Sequence, residues 1–423
     1  VGAHVPGKMI GPDAAPAMVR AMPTPTPSAP VALPAGFRAS AVHCGLRKQQ
    51  DHPDLGLLLA AAAQPAAALF TQNRLCGAHV HVCREHLQRS GGLVRAVVVN
   101  ARNANCATGQ QGIADAREVC RALAERLGCP TEQVLMCSTG PIGAPLPKAK
   151  ILAQLDALLE RASERSASDF ARAIMTTDTV PKATTATFAA GAGRARATGF
   201  AKGAGMIHPD MATMLAFVLA DAAPFGFQDN ARDLRAVLRA AADRSFHRVT
   251  VDGDTSPNDT LLLWAGGGAC EREPFERAVT EAGQELARAI ARDGEGASRL
   301  MTVQVRSAQS EAEATLVGRT IATSPLVKTA VAGRDPNWGR ILSAAGRCGV
   351  PFDAEQARVW IGPAEVYVRG VPHPDREAEA HRHLVEQQEI VLGVDLARGT
   401  AQADVWSCDL TKDYVQINAD YRS

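Results

Sequence analysis

The chain has 423 residues, and its 45 lysines and arginines against 44 aspartates and glutamates leave a formal net charge of +1. A balance this near neutrality supplies no field for drawing in nucleic acid or an anionic membrane face. No uninterrupted apolar run reaches the roughly 18 residues of a membrane-spanning helix, and ten cysteines without a CxxC pair suit free thiols in a reducing cytosol better than a disulfide framework. The length predicts two or three domains with ample core, so the first expectation is a cytoplasmic, enzyme-sized globular protein.

Residues 1–33 are rich in Pro and Ala, lack periodicity and do not begin with Met. They read as a disordered leader or an expression remnant outside the fold. After them the apolar, β-branched runs Leu93–Asn100 and Gln133–Ser138 predict buried strands. Between them Ile113, Ala116, Val119, Cys120, Leu123 and Leu127 share one helical face, with Gly128 placed to stop the helix. A second helix carries Ile151, Leu152, Leu155, Leu158 and Leu159, and two more fall around Leu234–Ala241 and Val279–Ile290. Further strands are expected at Met214–Ala220, Thr260–Ala265, Thr302–Val305, Arg358–Ile361, Glu389–Val394 and Gln402–Cys408. Alternation of this kind predicts a layered α/β architecture.

The familiar cofactor motifs are missing. There is no phosphate loop and no HExxH, and Gly191-Ala-Gly193 fails as a dinucleotide fingerprint because Arg196 takes the third glycine's place. Cys76, His79, His81, Cys83 and His86 are the most metal-like cluster, and His79, His81 and Cys83 would share one face of a strand. Zinc ligands come in wider pairs from two elements, so the cluster reads as structural and no metal or other cofactor is assigned. Asp252-Gly-Asp254-Thr-Ser-Pro-Asn258-Asp259 offers hard oxygen ligands but lacks calcium-loop spacing, and reads as a turn in which Asp and Asn bond their own backbone.

Three segments resist reading as scaffold. MTTDTVPK (175–182) packs three threonines, an aspartate and a lysine into eight residues. CSTGPIG (137–143) sets small polar residues and glycines at the end of a buried strand, where backbone N–H groups commonly point at a ligand. KGAGMIHPDMATMLAF (202–217) runs from a glycine-hinged cationic turn into an apolar strand that Thr213 enters. Only eight of the basic residues are lysine, and Lys182, Lys202, Lys328 and Lys412 lie in such unusual segments, as candidates for tasks that need a compact ammonium. A threonine becomes a competent nucleophile when it starts a chain, because its own α-amine then serves as base. Creating that terminus would require self-cleavage at Ala212–Thr213; by spacing alone, a threonine opening a buried strand is the plainer reading.

Taken in order, VVVNARNANCATG (97–109), STGPIG (138–143), MTTDTVPK, KGAGMIHPDMATMLAF, DGDTSPNDT (252–260), SPLVKTAVAGRDPNWGRIL (324–342) and the C-terminal DYVQINADYRS (413–423) resemble the ornithine acetyltransferase family. These are the glutamate N-acetyltransferases of the cyclic arginine pathway, and the resemblance runs from about residue 34 to the end. It implies a layered α-β sandwich of the ornithine acetyltransferase/DmpA-like fold with a smaller C-terminal α/β portion. It further implies a precursor that cuts itself into an α chain (34–212) and a β chain (213–423), assembled as an α2β2 heterotetramer. Thr213 would take the acetyl group from N2-acetyl-L-ornithine and pass it to L-glutamate through an acetyl-threonine intermediate, a ping-pong scheme; acetyl-CoA as a further donor is left open.

Residue by residue, the resemblance makes Thr139 and Gly140 the oxyanion hole and Lys202 the partner of the substrate α-carboxylate. Glu295 would receive the ornithine ammonium, and Thr177, Asn418 and the terminal Ser423 would line the same pocket, so the C-terminus should be ordered. Three departures stand out. Arg102 occupies a usual glycine, which predicts strain if that position has φ > 0; Ala204 replaces a serine, and Ser423 a threonine. The alternatives are a paralogue acetylating another amino acid, an amidase or aminopeptidase using the same threonine with water, and a non-catalytic binding protein.

Overall fold

The computed structural model describes residues 31–208, 214–224 and 231–420. Its first eight strands are β1 (Phe37–Val42), β2 (Leu55–Phe70), β3 (Leu93–Asn100), β4 (Val134–Ser138), β5 (Lys182–Ala190), β6 (Gly193–Lys202), β7 (Leu215–Pro224) and β8 (Thr260–Cys270). They form one ladder in the order β4-β3-β2-β8-β7-β6-β5, with β1 added beside β2. The sixteen-residue β2 changes partners midway: Leu55–Leu59 pair with β3, the register breaks before Gln64, and Ala66–Phe70 pair with β8. That break folds the ladder into two facing leaves.

Strand periodicity then decides which side chains meet. Leu58, Val97, Val99 and Leu135 face inward from one leaf onto Phe200, Phe217, Leu219, Leu262 and Trp264 of the other. The central strands of both leaves are covered on both faces, which is why they read as continuous apolar runs, whereas the edge strand β5 is partly exposed. The inner core also holds Phe37 edge-on to Trp264 at 5.1 Å, and Phe170 edge-on to Phe200 and Phe217. Each such aromatic pair adds about 0.5–1.5 kcal/mol beyond its burial.

On the outer face of the first leaf, Leu57, Leu59, Val98 and Met136 pack under helix α2 (Gly109–Leu127). Helices α3 (Lys148–Leu152) and α4 (Leu155–Glu160) cover the same face, where one helix was expected. Gly128 ends α2 as anticipated, with φ +61°. On the outer face of the second leaf, Ala216, Val218, Leu261 and Leu263 pack under α6 (Ala231–Asp243) and α7 (Arg272–Arg292). The result is helix, sheet, sheet, helix: the layered sandwich expected from sequence.

Helix α1 (Ala78–Arg89) corrects the strand reading of the Cys/His segment. On a helix His79 and Cys83 share a face and are buried, while His81 is exposed. His79 Nε2 lies 3.2 Å from the Asn258 carbonyl, Cys83 donates to the Met136 carbonyl, and His86 Nδ1 lies 2.8 Å from the Val134 carbonyl. These side chains pin α1 to the sheet. Among the described residues no group of three or more His, Cys, Asp or Glu is placed to hold a metal ion, and no helix is long and apolar enough to cross a membrane. Helix α5 (Ala167–Ala173) brings Phe170 to the inner core.

The smaller C-terminal portion is a six-stranded sheet of β9 (Leu300–Ala308), β10 (Arg358–Ile361), β11 (Ala364–Val368), β12 (Val371–Pro372), β13 (Glu389–Asp395) and β14 (Ala401–Cys408). Its own apolar core includes Val303, Val305, Val317, Ile321, Val359, Leu392 and Val405. The end of β14 joins the sandwich: Trp406 and Cys408 belong to the core beneath α7, and Thr250 N–H donates to the Trp406 carbonyl. This junction delivers the final helix, here α8 (Lys412–Asp420), to the site described below. Leu33, at the end of the segment set aside as a leader, is buried in the inner core, so the fold begins before residue 34.

Arg102 has φ +72°, the strained conformation expected where a glycine is usual. A left-handed backbone costs a residue bearing a Cβ about 1–2 kcal/mol, part of which glycine's greater unfolded-state freedom offsets. Arg102→Gly should therefore raise stability by about 0.5–1 kcal/mol, read as a higher urea midpoint. An unchanged or lower midpoint would mean that the guanidinium contacts outweigh the strain.

Candidate active site

Four chain segments converge at the ends of β4, β6 and β8. The first is the turn after β4. Thr139 continues the strand by exchanging backbone hydrogen bonds with Asn100 and Asn103, and Gly140 follows at φ +140°. A Cβ at Gly140 would collide with the backbone of Arg102 and Asn103, so only glycine fits. Among the described residues the Gly140 N–H has no hydrogen-bond partner.

The second segment leaves β6 at Lys202, which is 4% exposed; its ammonium donates to Thr139 Oγ1 at 3.2 Å. That hydroxyl thereby acts as acceptor toward Lys202 and keeps its own hydrogen to donate elsewhere. Burial pulls the Lys202 pKa down, and nearby Asp178 partly restores it. Beyond Lys202, Asp252 accepts the N–H groups of Met206 and Ile207, at 2.5 and 2.9 Å. Burial raises the Asp252 pKa despite these bonds.

The third segment is the 176–182 loop. Lys182, 2% exposed, donates to Asp178 Oδ1 at 2.7 Å and to Asp293 Oδ2 at 2.5 Å. Asp178 also accepts the N–H groups of Thr176 and Gly203. Burial opposes its ionisation, but Lys182 and Lys202 win and hold the carboxyl well below the usual carboxylate range. This buried network fixes the loop carrying Thr177 against the turn after Lys202. Sequence reading noticed Lys182 but not its partner Asp293, 111 residues away.

The fourth segment follows α7. Asp409 accepts the Ser298 and Arg299 N–H groups, and Thr411 Oγ1 donates to the Gly296 carbonyl, so α8 is seated on the 293–299 loop. Asn418 Nδ2 then donates to Glu295 Oε2 at 2.9 Å. Gly205 lies so close to the Glu295 carboxyl that a Cβ there would clash. Tyr414 joins this group, its phenol pushed up first by burial and then by Asp252 and Glu295.

Together these segments enclose a cavity of about 250 Å³ lined by Thr139, Gly140, Thr177, Lys202, Glu295 and Asn418. Every described site residue from the sequence reading is therefore in one place. Ala212, Thr213 and Ser423 lie outside the described residues. Asp252, Asp254, Ser256 and Asn258 line the same cavity. The turn expected at 252–259 is present, with Asp252 and Ser256 bonding the Asp254 and Asn258 N–H groups, but the sequence reading missed its role as a wall.

Comparison with known proteins gives the arrangement a frame. The family model that matches, over residues 38–423, is described as the ArgJ family. The chain belongs to the ArgJ family. It is 45% identical over 394 residues to the arginine biosynthesis bifunctional protein ArgJ of Parasynechococcus marenigrum, spanning 92% of this chain and 95% of that one. The protein of the same name from Thermus thermophilus is 46% identical over 393 residues, spanning 92% and 99%. A crystal structure of ArgJ from Bacillus halodurans is 38% identical, covers 48% of this chain and 98% of that one, and gives a TM-score of 0.45.

The described residues on either side of positions 209–213 are themselves held in place. On one side Val251 N–H donates to the Ile207 carbonyl. On the other, Met214 N–H donates to Asp259 Oδ1 at 3.0 Å, and Thr260 N–H donates to the Met214 carbonyl. Asp259 and Lys202 are close enough to influence one another's ionisation. The cavity, the Thr139–Lys202 contact and the start of β7 thus share one small region.

Proposed function

We propose that this chain is a self-processing acetyltransferase that moves the acetyl group of N2-acetyl-L-ornithine to L-glutamate through acetyl-Thr213. The single observation that carries the reading is the cavity, in which donors suited to a tetrahedral oxyanion, a buried ammonium and a carboxylate cluster meet, its Lys202 paired with Leu215 at the start of β7. The matched relatives carry the name arginine biosynthesis bifunctional protein, which agrees in kind.

Chemistry assigns the roles. Cleavage at Ala212–Thr213 gives Thr213 a free α-amine, whose ordinary pKa of about 7.7–8.0 lets it take the hydroxyl proton near neutrality. The hydroxyl oxygen adds to the acetyl carbon, and the carbonyl oxygen becomes an oxyanion received by the Gly140 N–H and the Thr139 hydroxyl. The tetrahedral intermediate expels the ornithine α-amine with the proton returned from the Thr213 amine, leaving acetyl-Thr213. Glutamate enters, its amine attacks the ester, and the hydroxyl is regenerated. Lys202 supplies the positive charge for the α-carboxylate that both substrates carry. Glu295, oriented by Asn418, supplies the negative charge for the ornithine side-chain ammonium. Thr177, held by the Asp178–Lys182 network, and the terminal Ser423 complete the pocket. The assembly in this reading is α2β2, formed from the cleaved α and β chains.

An amidase using the same nucleophile would accept water instead of glutamate, so the readings separate on the acceptor. Consumption of N-acetylornithine should require glutamate after the first turnover, with parallel double-reciprocal plots at varied glutamate. Equal rates with and without glutamate would contradict acetyl transfer.

A further inference from the structure

A second cavity, of about 480 Å³, is lined by the end of β2 and the segment after it, by α1 and by α6. It gathers four guanidinium groups, those of Arg74, Arg84, Arg235 and Arg239, and no aspartate or glutamate is among its described lining residues. Arginines elsewhere are matched, as Arg117 is to Glu85, Arg126 to Asp156 and Arg288 to Glu389. Among the described residues none of these four forms an ion pair with a carboxylate.

The fold sets these groups in place. Arg235 and Arg239 lie one turn apart on α6 and so share a face. Arg84 rests over the Phe70 ring, 5.5 Å from its centroid, and its Nη2 donates to the Thr71 carbonyl at 3.2 Å. Four like charges around one hollow repel one another, on a chain whose net charge is only +1. An anion entering the hollow relieves that repulsion. A guanidinium stays charged at any working pH, and its planar fork matches phosphate oxygens two at a time. A single carboxylate would leave most of the charge unmatched, whereas two linked phosphates offer acceptor oxygens to several forks at once.

We propose that this cavity binds a diphosphate group, free or carried on a nucleoside, and that its occupancy is felt at the wall of the first cavity. The link is a row of hydrogen bonds between residues 71–77 and the 252–259 turn. Thr71 N–H donates to the Asp259 carbonyl at 3.0 Å and Thr71 Oγ1 to the Ser256 carbonyl at 2.6 Å. Asn73 Nδ2 donates to the Thr255 carbonyl and Gly77 N–H to the Pro257 carbonyl, both at 2.9 Å. Ser256 and Asn258 in turn line the first cavity. A ligand that steadies one segment therefore steadies the other. None of the four arginines lines the first cavity, so the inference is independent of the acetyl-transfer reading.

The experiment is calorimetric titration of the full-length protein with pyrophosphate, with ADP and with citrate, at about 0.15 M ionic strength and with a chelator present. Pyrophosphate or ADP should bind saturably at one site per chain, and the tighter of the two tells a free diphosphate from one carried on a nucleoside. Arg235 and Arg239 are exposed on α6, so Arg235→Gln and Arg239→Gln should leave the circular dichroism unchanged. Each should weaken binding about 10–100-fold, the loss expected when a hydrogen bond to a charged group is removed. Hydrogen exchange should slow on ligand addition at the amides of 71–77 and of 255–259 together. No saturable heat up to about 1 mM ligand, citrate binding as tightly as the diphosphates, or undiminished binding by both variants would overturn the site. Exchange that slows at 71–77 but not at 255–259 would overturn the link to the first cavity.

Discussion

Thr213→Ala should yield one uncut polypeptide of 44.5 kDa with acetyl transfer lowered about 10⁴-fold or more. One hydroxyl is asked to do two things. It attacks the Ala212 carbonyl to make the β chain, and it attacks the acetyl carbonyl once the chain is made. Removing it removes both, and losses of this order are typical when a nucleophile is deleted and only binding and oxyanion donors remain. Thr213→Ser keeps the hydroxyl and should still cleave and transfer. The pair of variants, run on a denaturing gel and assayed for acetylglutamate, separates a chemical role from a structural one. Two fragments from the alanine variant, or transfer by it near the wild-type rate, would contradict the mechanism.

Gly140→Ala should lower kcat about 10²–10³-fold. Gly140 lies at φ +140° with the backbone of Arg102 and Asn103 against its Cα, so a methyl group forces the turn to move. The N–H meant for the oxyanion moves with it. Since the oxyanion exists only after attack, the loss should appear in kcat and much less in KM. Thr139→Val is the companion that leaves the backbone in place. It deletes the hydroxyl that accepts from Lys202, and a fall of about 10²-fold in kcat is expected from the lost donor. Unchanged kcat in both variants would remove the oxyanion role from this turn. The two differ in stability as well: the alanine variant should have the lower urea midpoint, because its defect is steric.

Much of this site was legible because it is built from short contiguous segments. Thr139 and Gly140 sit at the end of a strand whose apolar run is unmistakable, and Lys202 ends another strand just before Gly203 and Gly205. The lysine scarcity was informative too: Lys182, Lys202 and Lys328 are all buried and hydrogen-bonded, whereas Lys412 is exposed. What escaped notice depends on distance along the chain. Asp293 reaches Lys182 across 111 residues and Asp259 reaches Met214 across 45, and no local pattern announces either pairing.

The alanine-rich stretch within Leu55–Phe70 shows why β2 was hidden. Alanine favours helix intrinsically, and only pairing with β3 and β8 makes this segment a strand. The reverse happened at α1, where the alternation His79, His81, Cys83 mimicked a strand although Val80, Val82, Cys83 and His86 bury a helical face. A period-two pattern over five residues is too short to outweigh a helical stripe. The second sheet was only partly foreseen because β11 and β12 are short hairpin strands with little periodicity.

The most direct measurement is the intact mass of the purified protein before and after brief exposure to N-acetylornithine without glutamate. The account predicts two polypeptides, of which the one starting at Thr213 gains a single acetyl group that fragmentation places on that residue and that glutamate then removes. A single unbroken chain, or a β chain that never acquires the acetyl group while substrate is consumed, would contradict it.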